Sequence, residues 1–323
     1  MGALTAIGIT GGGPLPRLAG APVDARSIAS VLARHSDGTQ NLTGDVLVDE
    51  LIPVNAKKVV DAVERLLSPQ RDIAVLYFSG HAVMNAHRTY LITSEYRGEI
   101  PGPGCVDFSL ITDLVNRSRV RDIVLMLDCC HAGATFDSEQ VPFGPGHSLS
   151  ALRDGVFLIA GAGRDESALE VNGQSIFTQL VLEGLAGGAA ELFGEITATS
   201  LYAYVDERLD EFDQRPILKA NVSRLVPLRR VEPRIKRDVV RTVLARCFVT
   251  PDDGYQLTPQ HEPSEPEHDP KLVETFQHLK DMRDAGLLKP DARDMYTAAL
   301  TSKQCRLTER GKHMWIRARD GRI

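Results

Sequence analysis

Between residue 3 and about residue 228, short apolar runs alternate with stretches in which apolar residues recur every three or four positions. The runs predict strands buried on both faces, and they are Ala3–Thr10, Ile73–Phe78, Tyr90–Thr93, Ile123–Leu127 and Val156–Ala160. The periodic stretches predict helices around Ile28–Leu32, Val59–Leu67, Leu110–Val115, Leu180–Leu185 and Leu201–Phe212. This alternation predicts an α/β domain, with a mainly parallel sheet flanked by helices.

Two stretches lack any apolar period. Residues 134–155, rich in Pro and Gly, predict a long mobile loop directly after a strand, and loops of that size are often functional. Thr250–Pro270 contains five prolines among acidic and amide residues and predicts a Pro-rich acidic linker. Residues 231–323 carry 17 basic and 15 acidic side chains (+2), against 20 and 28 (−8) for residues 1–230. We therefore predict one domain over residues 1–230 and a second over residues 231–323.

The second domain has a helix marked by Leu272, Phe276 and Leu279, and Gly286 is expected to cap that helix. Arg306–Gly311 then leads into a further helical turn with Met314 and Trp315. This order resembles the end of a winged-helix domain. A net charge of +2 is too small to favour nucleic acid, so we predict a module that binds a regulatory protein partner.

Composition narrows the class of protein. A net charge of −6 excludes a polybasic protein that binds nucleic acid or anionic membranes through its overall field. No apolar run approaches the twenty residues of a membrane-spanning helix, and the first residues lack the pattern of a secretory signal. Five cysteines, an odd number without regular spacing, suit a reducing compartment. We expect a soluble cytoplasmic protein without contact to a membrane.

Two segments carry the candidate chemistry: Tyr-Phe-Ser-Gly-His-Ala at 77–82 and Asp-Cys-Cys-His-Ala-Gly at 128–133. Each follows a predicted buried strand, and ligand crevices of parallel sheets lie at the carboxyl ends of the strands. If the strands are neighbours, His81 and Cys130 face each other. A thiolate is a nucleophile, and a nearby imidazole lowers the pKa of the thiol and protonates a leaving amine.

Other interpretations of the same residues are weaker. Cys129 and Cys130 could form a redox pair, but they lack the C-x-x-C spacing of thioredoxin-like proteins. Cys129 is expected to be a small buried side chain. Metal binding by Cys129, Cys130 and His131 has no second ligand cluster at zinc spacing. The glycines at 11–13 lack the spacing of a nucleotide loop. We predict no metal and no cofactor, and the sequence leaves a calcium requirement open.

The two segments resemble the His and Cys blocks of the caspase and metacaspase cysteine peptidases, and His81 and Cys130 are 49 positions apart. The second segment is more similar to the Cys block of metacaspases and their bacterial relatives than to that of animal caspases. The resemblance covers about residues 3 to 220. It implies a protein or peptide substrate, Cys130 as nucleophile, His81 as general base and acid, and an oxyanion held by the backbone N–H groups of Cys130 and Ala82. The family has Gly where this chain has Ala82. Bacterial relatives suggest a role in defence or stress.

The resemblance also implies a substrate pocket lined by Asp128, Asp24 and Ser79. Two carboxylates favour Arg or Lys before the scissile bond. Asp24 has an alternative role as the N-cap of the first helix, and Ser79 as part of a turn. Because residues 134–152 contain no Lys or Arg, a basic-specific enzyme has no cleavage site of its own there, which predicts activation by a partner. A caspase-fold scaffold that binds partners without cleaving them is the alternative function.

Overall fold

A computed structural model describes residues 2–85, 88–131, 152–161, 170–171, 173–209 and 216–323. Contacts divide the chain into two units, Met1–Glu191 with Glu195–Glu232, and Leu192–Gly194 with Pro233–Ile323. In the first unit the strands are β1 (Gly2–Gly8), β2 (Leu42–Val48), β3 (Ile73–Asn85), β4 (Arg88–Ile92), β5 (Cys105–Asp107), β6 (Asp122–His131), β7 (Val156–Ala160), β8 (Glu170–Val171), β9 (Gln174–Ser175), β10 (Glu195–Thr197), β11 (Ile217–Asn221) and β12 (Pro227–Arg230). Its helices are α1 (Ala21–Ala33), α2 (Ala56–Leu67), α3 (Phe108–Arg117), α4 (Ile176–Glu183) and α5 (Ala198–Leu209).

The central sheet has the order β11-β7-β6-β3-β1-β2, and β4 and β5 extend it beside β3. The pairs among β2, β1, β3, β6 and β7 are parallel, whereas β11 is antiparallel to β7 and β4 to β3. The predicted α/β class with a mainly parallel, helix-flanked sheet is therefore confirmed.

Alternate residues of β3 and β6 build two separate cores, because successive side chains of a strand point to opposite faces. On one face Leu76 and Leu125 pack with residues of α2 and α3, such as Val63 and Ile111. On the other face Tyr77 and Met126 pack with residues of α1, α4 and α5. The second face leads, at the carboxyl ends of the strands, to the predicted site residues.

The five predicted strands exist, although four of them differ in length from the prediction. In the central sheet β2, β5 and β11 were missed, and so were the short strands β8, β9, β10 and β12 outside it. β3 continues past His81 to Asn85, so the expectation that this motif follows the end of the strand was wrong. Beyond His81, pairing with β4 replaces pairing with β1 and keeps the backbone hydrogen-bonded. β2 and β11 escaped prediction because both lie at the ends of the described sheet order and are largely exposed.

The second unit contains α6 (Arg237–Cys247), β13 (Gly254–Gln256), α7 (Pro270–Asp284), β14 (Leu288–Pro290), α8 (Met295–Leu300), β15 (Gln304–Leu307) and α9 (Glu309–Arg319). Its strands form a sheet of order β13-β15-β14. Gly286, with φ of +71°, follows the end of α7 as expected. Helix α8 separates β14 from β15, where a winged-helix domain is expected to have a wing loop. The winged-helix assignment stays a prediction.

The prediction that Thr250–Pro270 is a linker was wrong. Within it, β13 pairs with β15, a 3₁₀ turn covers Pro259–His261, and the side chains of Leu257 and His261 are buried. Its few apolar side chains enter the core of the second unit, and hydrogen bonds of His261 hold the turn, so composition alone underestimated its order.

In the described part of the chain, no helix combines the length and the apolar character needed to cross a membrane.

Candidate functional site

The site lies where β3 changes its neighbour. β1 pairs with β3 as far as Ser79, β4 pairs with it from Ala82, and β6 runs along its other side. In this parallel register His81 lies opposite Cys130, and Ser79 lies opposite Asp128. Ser79, His81 and Asp128 occupy the face that continues from Tyr77 and Met126, and Cys130 is the register partner of His81. The fold thus brings together the two segments that the sequence singled out.

Cys129 and Ala82 belong to the opposite face. Cys129 pairs with Gly80, is 4% exposed, and packs with Leu127 and Ala82 in the core beneath α2 and α3. This burial separates Cys129 from the face of His81 and disfavours a redox role. The methyl group of Ala82 is accommodated in the same core, so the Ala that replaces the family's Gly causes no steric conflict there.

The imidazole of His81 is buried and oriented by a backbone group. Its Nε2 lies 2.7 Å from the carbonyl oxygen of Pro16. Because a carbonyl oxygen only accepts, Nε2 donates, and Nδ1 carries the lone pair of the neutral ring. The loop that supplies Pro16 follows β1 and is held by hydrogen bonds from Thr10 to the carboxylate of Asp49.

Asp24 lies inside the first helix and not at its cap. Gly20 is the N-cap of α1, and Asp24 is in the first turn with its side chain 1% exposed. The N-cap alternative was therefore wrong, because the helix begins at Ala21, three residues before Asp24. Ser79 Oγ donates a hydrogen bond of 3.3 Å to Asp24 Oδ2, and the positive end of the α1 dipole stabilises that carboxylate. Ser79 lies within β3, so the turn alternative was wrong too.

Asp128, 5% exposed, is held by two hydroxyl groups. Thr178 Oγ1 donates to Asp128 Oδ2 at 2.5 Å, and Tyr77 Oη lies 2.5 Å from Thr178 Oγ1 and 3.5 Å from Asp128 Oδ2. Burial raises the pKa of Tyr77 well above its usual value, and the nearby charges of Asp128 and Asp24 raise this pKa further. Both carboxylates therefore act on one buried phenol.

Sequence analysis gave no role to three of these groups. Tyr77 lies in the quoted motif but looks like one more apolar strand residue, and Thr178 is far from both motifs in sequence. Pro16 acts through its backbone carbonyl, which no side-chain pattern reveals. Residues 134–151 of the predicted mobile loop, and Phe212 of the fifth predicted helix, lie outside the described residues.

Among the residues described, no group of three or more His, Cys, Asp or Glu side chains is placed to hold a metal ion.

Comparison with protein families matches residues 4–226 to the family described as Caspase domain. Among solved structures, protein GSU0716 of Geobacter sulfurreducens is similar, with a TM-score of 0.52 and 16% sequence identity. The similarity covers 72% of this chain and 99% of that one, and at this identity it shows the fold alone. A comparison with curated proteins finds no match.

Proposed function

This chain belongs to the caspase domain family, which supports a cysteine peptidase type of function in general, and we propose that it is a cysteine endopeptidase that cleaves after Arg or Lys. The observation that carries the proposal is the register of β3 and β6, which places His81 opposite Cys130 on one face of the sheet. Each residue alone has an ordinary structural explanation. Together they provide a nucleophile and a base at one crevice.

In the proposed reaction, His81 takes the proton of the Cys130 thiol, the thiolate attacks the carbonyl carbon of the substrate and forms a C–S bond, and the carbonyl electrons move to the oxygen. The tetrahedral intermediate collapses as the C=O bond re-forms and the C–N bond breaks, and His81 gives its proton to the leaving amine. Water, deprotonated by His81, then attacks the thioester; the C–S bond breaks, the acid is released, and the proton on His81 returns to the Cys130 thiolate. The hydrogen bond from Nε2 to Pro16 fixes the ring, so Nδ1 is the nitrogen that takes and gives the proton.

The developing oxyanion needs donors close to the attacked carbonyl. Backbone N–H groups of Cys130 and Ala82 are the proposed donors, since these positions lie on adjacent strands one register step apart. The small side chain of Ala82, directed into the opposite core, leaves the crevice side open to the substrate backbone.

Asp128 and Asp24 are the proposed acidic lining of the substrate pocket, with Ser79 between them. Both carboxylates are almost fully buried and each accepts a hydrogen bond from a neutral hydroxyl group. Carboxylates form strong, charge-assisted hydrogen bonds with cationic donors. A guanidinium or ammonium group of the substrate supplies such donors, whereas an aspartate side chain adds repulsion.

Activity in an uncut chain that is switched on by a partner protein remains part of the proposal. Its supports are the lack of Lys and Arg in residues 134–152 and the separate compact unit formed chiefly by residues 233–323. That second unit is the proposed contact for the regulatory partner.

Fluorogenic peptides that differ only in the residue before the scissile bond test the specificity. We expect cleavage after Arg and Lys and none after Asp. Asp128→Asn should lower kcat/KM for the Arg peptide roughly 10- to 100-fold, the loss of one charged hydrogen bond. The same variant should react with iodoacetamide at the wild-type rate.

Asp122→Asn is the matched control, because Asp122 is a buried carboxylate at the other end of β6. It should leave the preference among peptides unchanged. Cleavage of the Asp peptide but not the Arg peptide would show the acidic pocket to be wrong, and binding of partners without any cleavage would favour the scaffold function.

A further inference from the structure

A chain of hydroxyl groups from two elements ends on the carboxylate of Asp128. Tyr77 on β3 and Thr178 in the first turn of α4 are both 0% exposed. The two oxygens lie 2.5 Å apart, and Thr178 Oγ1 lies 2.5 Å from Asp128 Oδ2. A third element, β6, carries the carboxylate.

The number of protons fixes the direction of this chain. Thr178 Oγ1 donates to Asp128 Oδ2, and this hydrogen bond uses the single hydroxyl proton of Thr178. Thr178 Oγ1 must then accept from the phenol of Tyr77. The raised pKa of Tyr77 keeps its proton in place, so the phenol is a donor throughout the neutral range. Successive hydrogen bonds of this kind polarise one another, which strengthens the one that reaches the carboxylate.

Both donors are held by core packing. Tyr77 packs in the core with Met126. Phe177 and Val181, which lie on α4 before and after Thr178, are buried in the same core. A hydroxyl held this way fixes the position and the plane of the carboxylate it contacts.

We propose that Thr178, supported by Tyr77, is a positioning residue that fixes the Asp128 carboxylate for recognition of a planar guanidinium, and so sets a preference for Arg over Lys. The inference rests on the proposed function, in which Asp128 binds the basic side chain before the scissile bond. A guanidinium forms paired hydrogen bonds with a carboxylate in one relative orientation, so it gains from a fixed acceptor. The ammonium group of Lys acts as a point charge and loses less when the carboxylate turns.

The test compares Thr178→Val, Thr178→Ser and Tyr77→Phe, using peptides with Arg or Lys before the scissile bond. Thr178→Val should lower kcat/KM for the Arg peptide about 10- to 100-fold, mainly through KM, and the Lys peptide less, so that the Arg-to-Lys ratio falls. Thr178→Ser keeps the hydroxyl and should restore the wild-type ratio. Tyr77→Phe removes the donor to Thr178 together with its long, 3.5 Å contact to Asp128 Oδ2, and should lower the ratio by about two- to tenfold.

Two controls separate positioning from loss of structure. Thr112→Val deletes another buried threonine hydroxyl, on α3, which bonds only the backbone of its own helix. It should keep the wild-type ratio. The rate of Cys130 alkylation by iodoacetamide should be the same in all variants.

An unchanged Arg-to-Lys ratio in Thr178→Val or in Tyr77→Phe, in proteins that still cleave, overturns this inference and leaves the proposed function intact. If Thr178→Val does not fold, Tyr77→Phe and Thr178→Ser decide the question by the same ratio. A wild-type enzyme that cleaves after neither Arg nor Lys overturns the proposed function itself.

Discussion

The imidazole of His81 packs against the loop after β1, at a position where the backbone conformation favours glycine. Gly11 has a φ of +118°, and a Cβ built there would lie 3.2 Å from His81 Cδ2 and 3.2 Å from the carbonyl oxygen of Pro16. The loop after β1 therefore reaches the imidazole and delivers the carbonyl that orients it because position 11 has no side chain.

Gly11→Ala should reduce kcat at least tenfold, because the added methyl displaces the imidazole or its carbonyl partner. Gly38→Ala is the control, since Gly38 also has a positive φ, of +82°, but no atom within 4 Å of a built Cβ. Both variants should lose about 1 kcal/mol of stability through backbone strain. Urea unfolding and steady-state kinetics measure the two effects, and equal kinetics in the two variants would show that the contact with His81 is unimportant.

At the scale of single residues, the sequence identified side chains and missed their supports. Cys130 and His81 could be named because each belongs to a distinctive motif next to a recognisable run of apolar residues. The Pro16 carbonyl could not, since any residue supplies a carbonyl and only the course of the loop selects this one. The sequence left two roles open for Asp24, because a carboxylate near the start of a helix can be the N-cap or can line a substrate pocket. The helix begins at Ala21, which excludes the N-cap role.

Secondary-structure elements contribute to the site through their ends. The first turns of α1 and α4 present Asp24 and Thr178 to the same sheet face, and β3 carries His81 past the end of its pairing with β1. The pattern of apolar residues predicted these helices and five of the eight strands of the central sheet, β1, β3, β4, β6 and β7. It could not predict that β4 is antiparallel, because pairing direction is decided by the connection and not by the pattern of apolar residues.

Within Thr250–Pro270, hydrogen bonds of the buried His261 side chain connect the 3₁₀ turn to Thr258 and Tyr255. His261 is 3% exposed; its Nδ1 accepts from the backbone N–H of Thr258, and its Nε2 lies 3.2 Å from the hydroxyl of Tyr255. Burial lowers the pKa of His261 below its usual 6.5. Protonation would remove the acceptor at Nδ1 and place a charge in the core.

The second unit should therefore lose stability as the pH falls below about 6.5. In this range the unfolded chain binds a proton that the folded chain excludes, so the free energy of unfolding decreases until the pH reaches the lowered pKa of the folded state. Fluorescence of Trp315, the one tryptophan of the chain, reports urea unfolding of this unit at about pH 7.5 and pH 5. His261→Gln should be less stable at the higher pH and less sensitive to acid. An equal acid sensitivity in this variant would assign the effect to other groups.

At the scale of the whole molecule, a family domain and a second compact unit share one chain. The caspase domain match ends at residue 226, close to the division of the two units after Glu232. Composition indicated such a division through the shift from −8 to +2, but not the arrangement of helices and strands in the second unit. The proposal assigns the regulatory partner to the second unit, which has a hydrophobic core of its own.

Reaction of the purified chain with a covalent peptide inhibitor that carries Arg before its reactive group, followed by mass spectrometry, tests directly whether Cys130 is the nucleophile. We predict one adduct per chain, on Cys130, in a protein of uncut mass, formed slowly in the chain alone because activation needs the partner. Cys129→Ala should be labelled like the wild type, and Cys130→Ala and His81→Ala should not. Labelling of Cys129, labelling by an Asp-directed inhibitor only, or labelling that requires a cut between residues 134 and 152 would contradict this prediction.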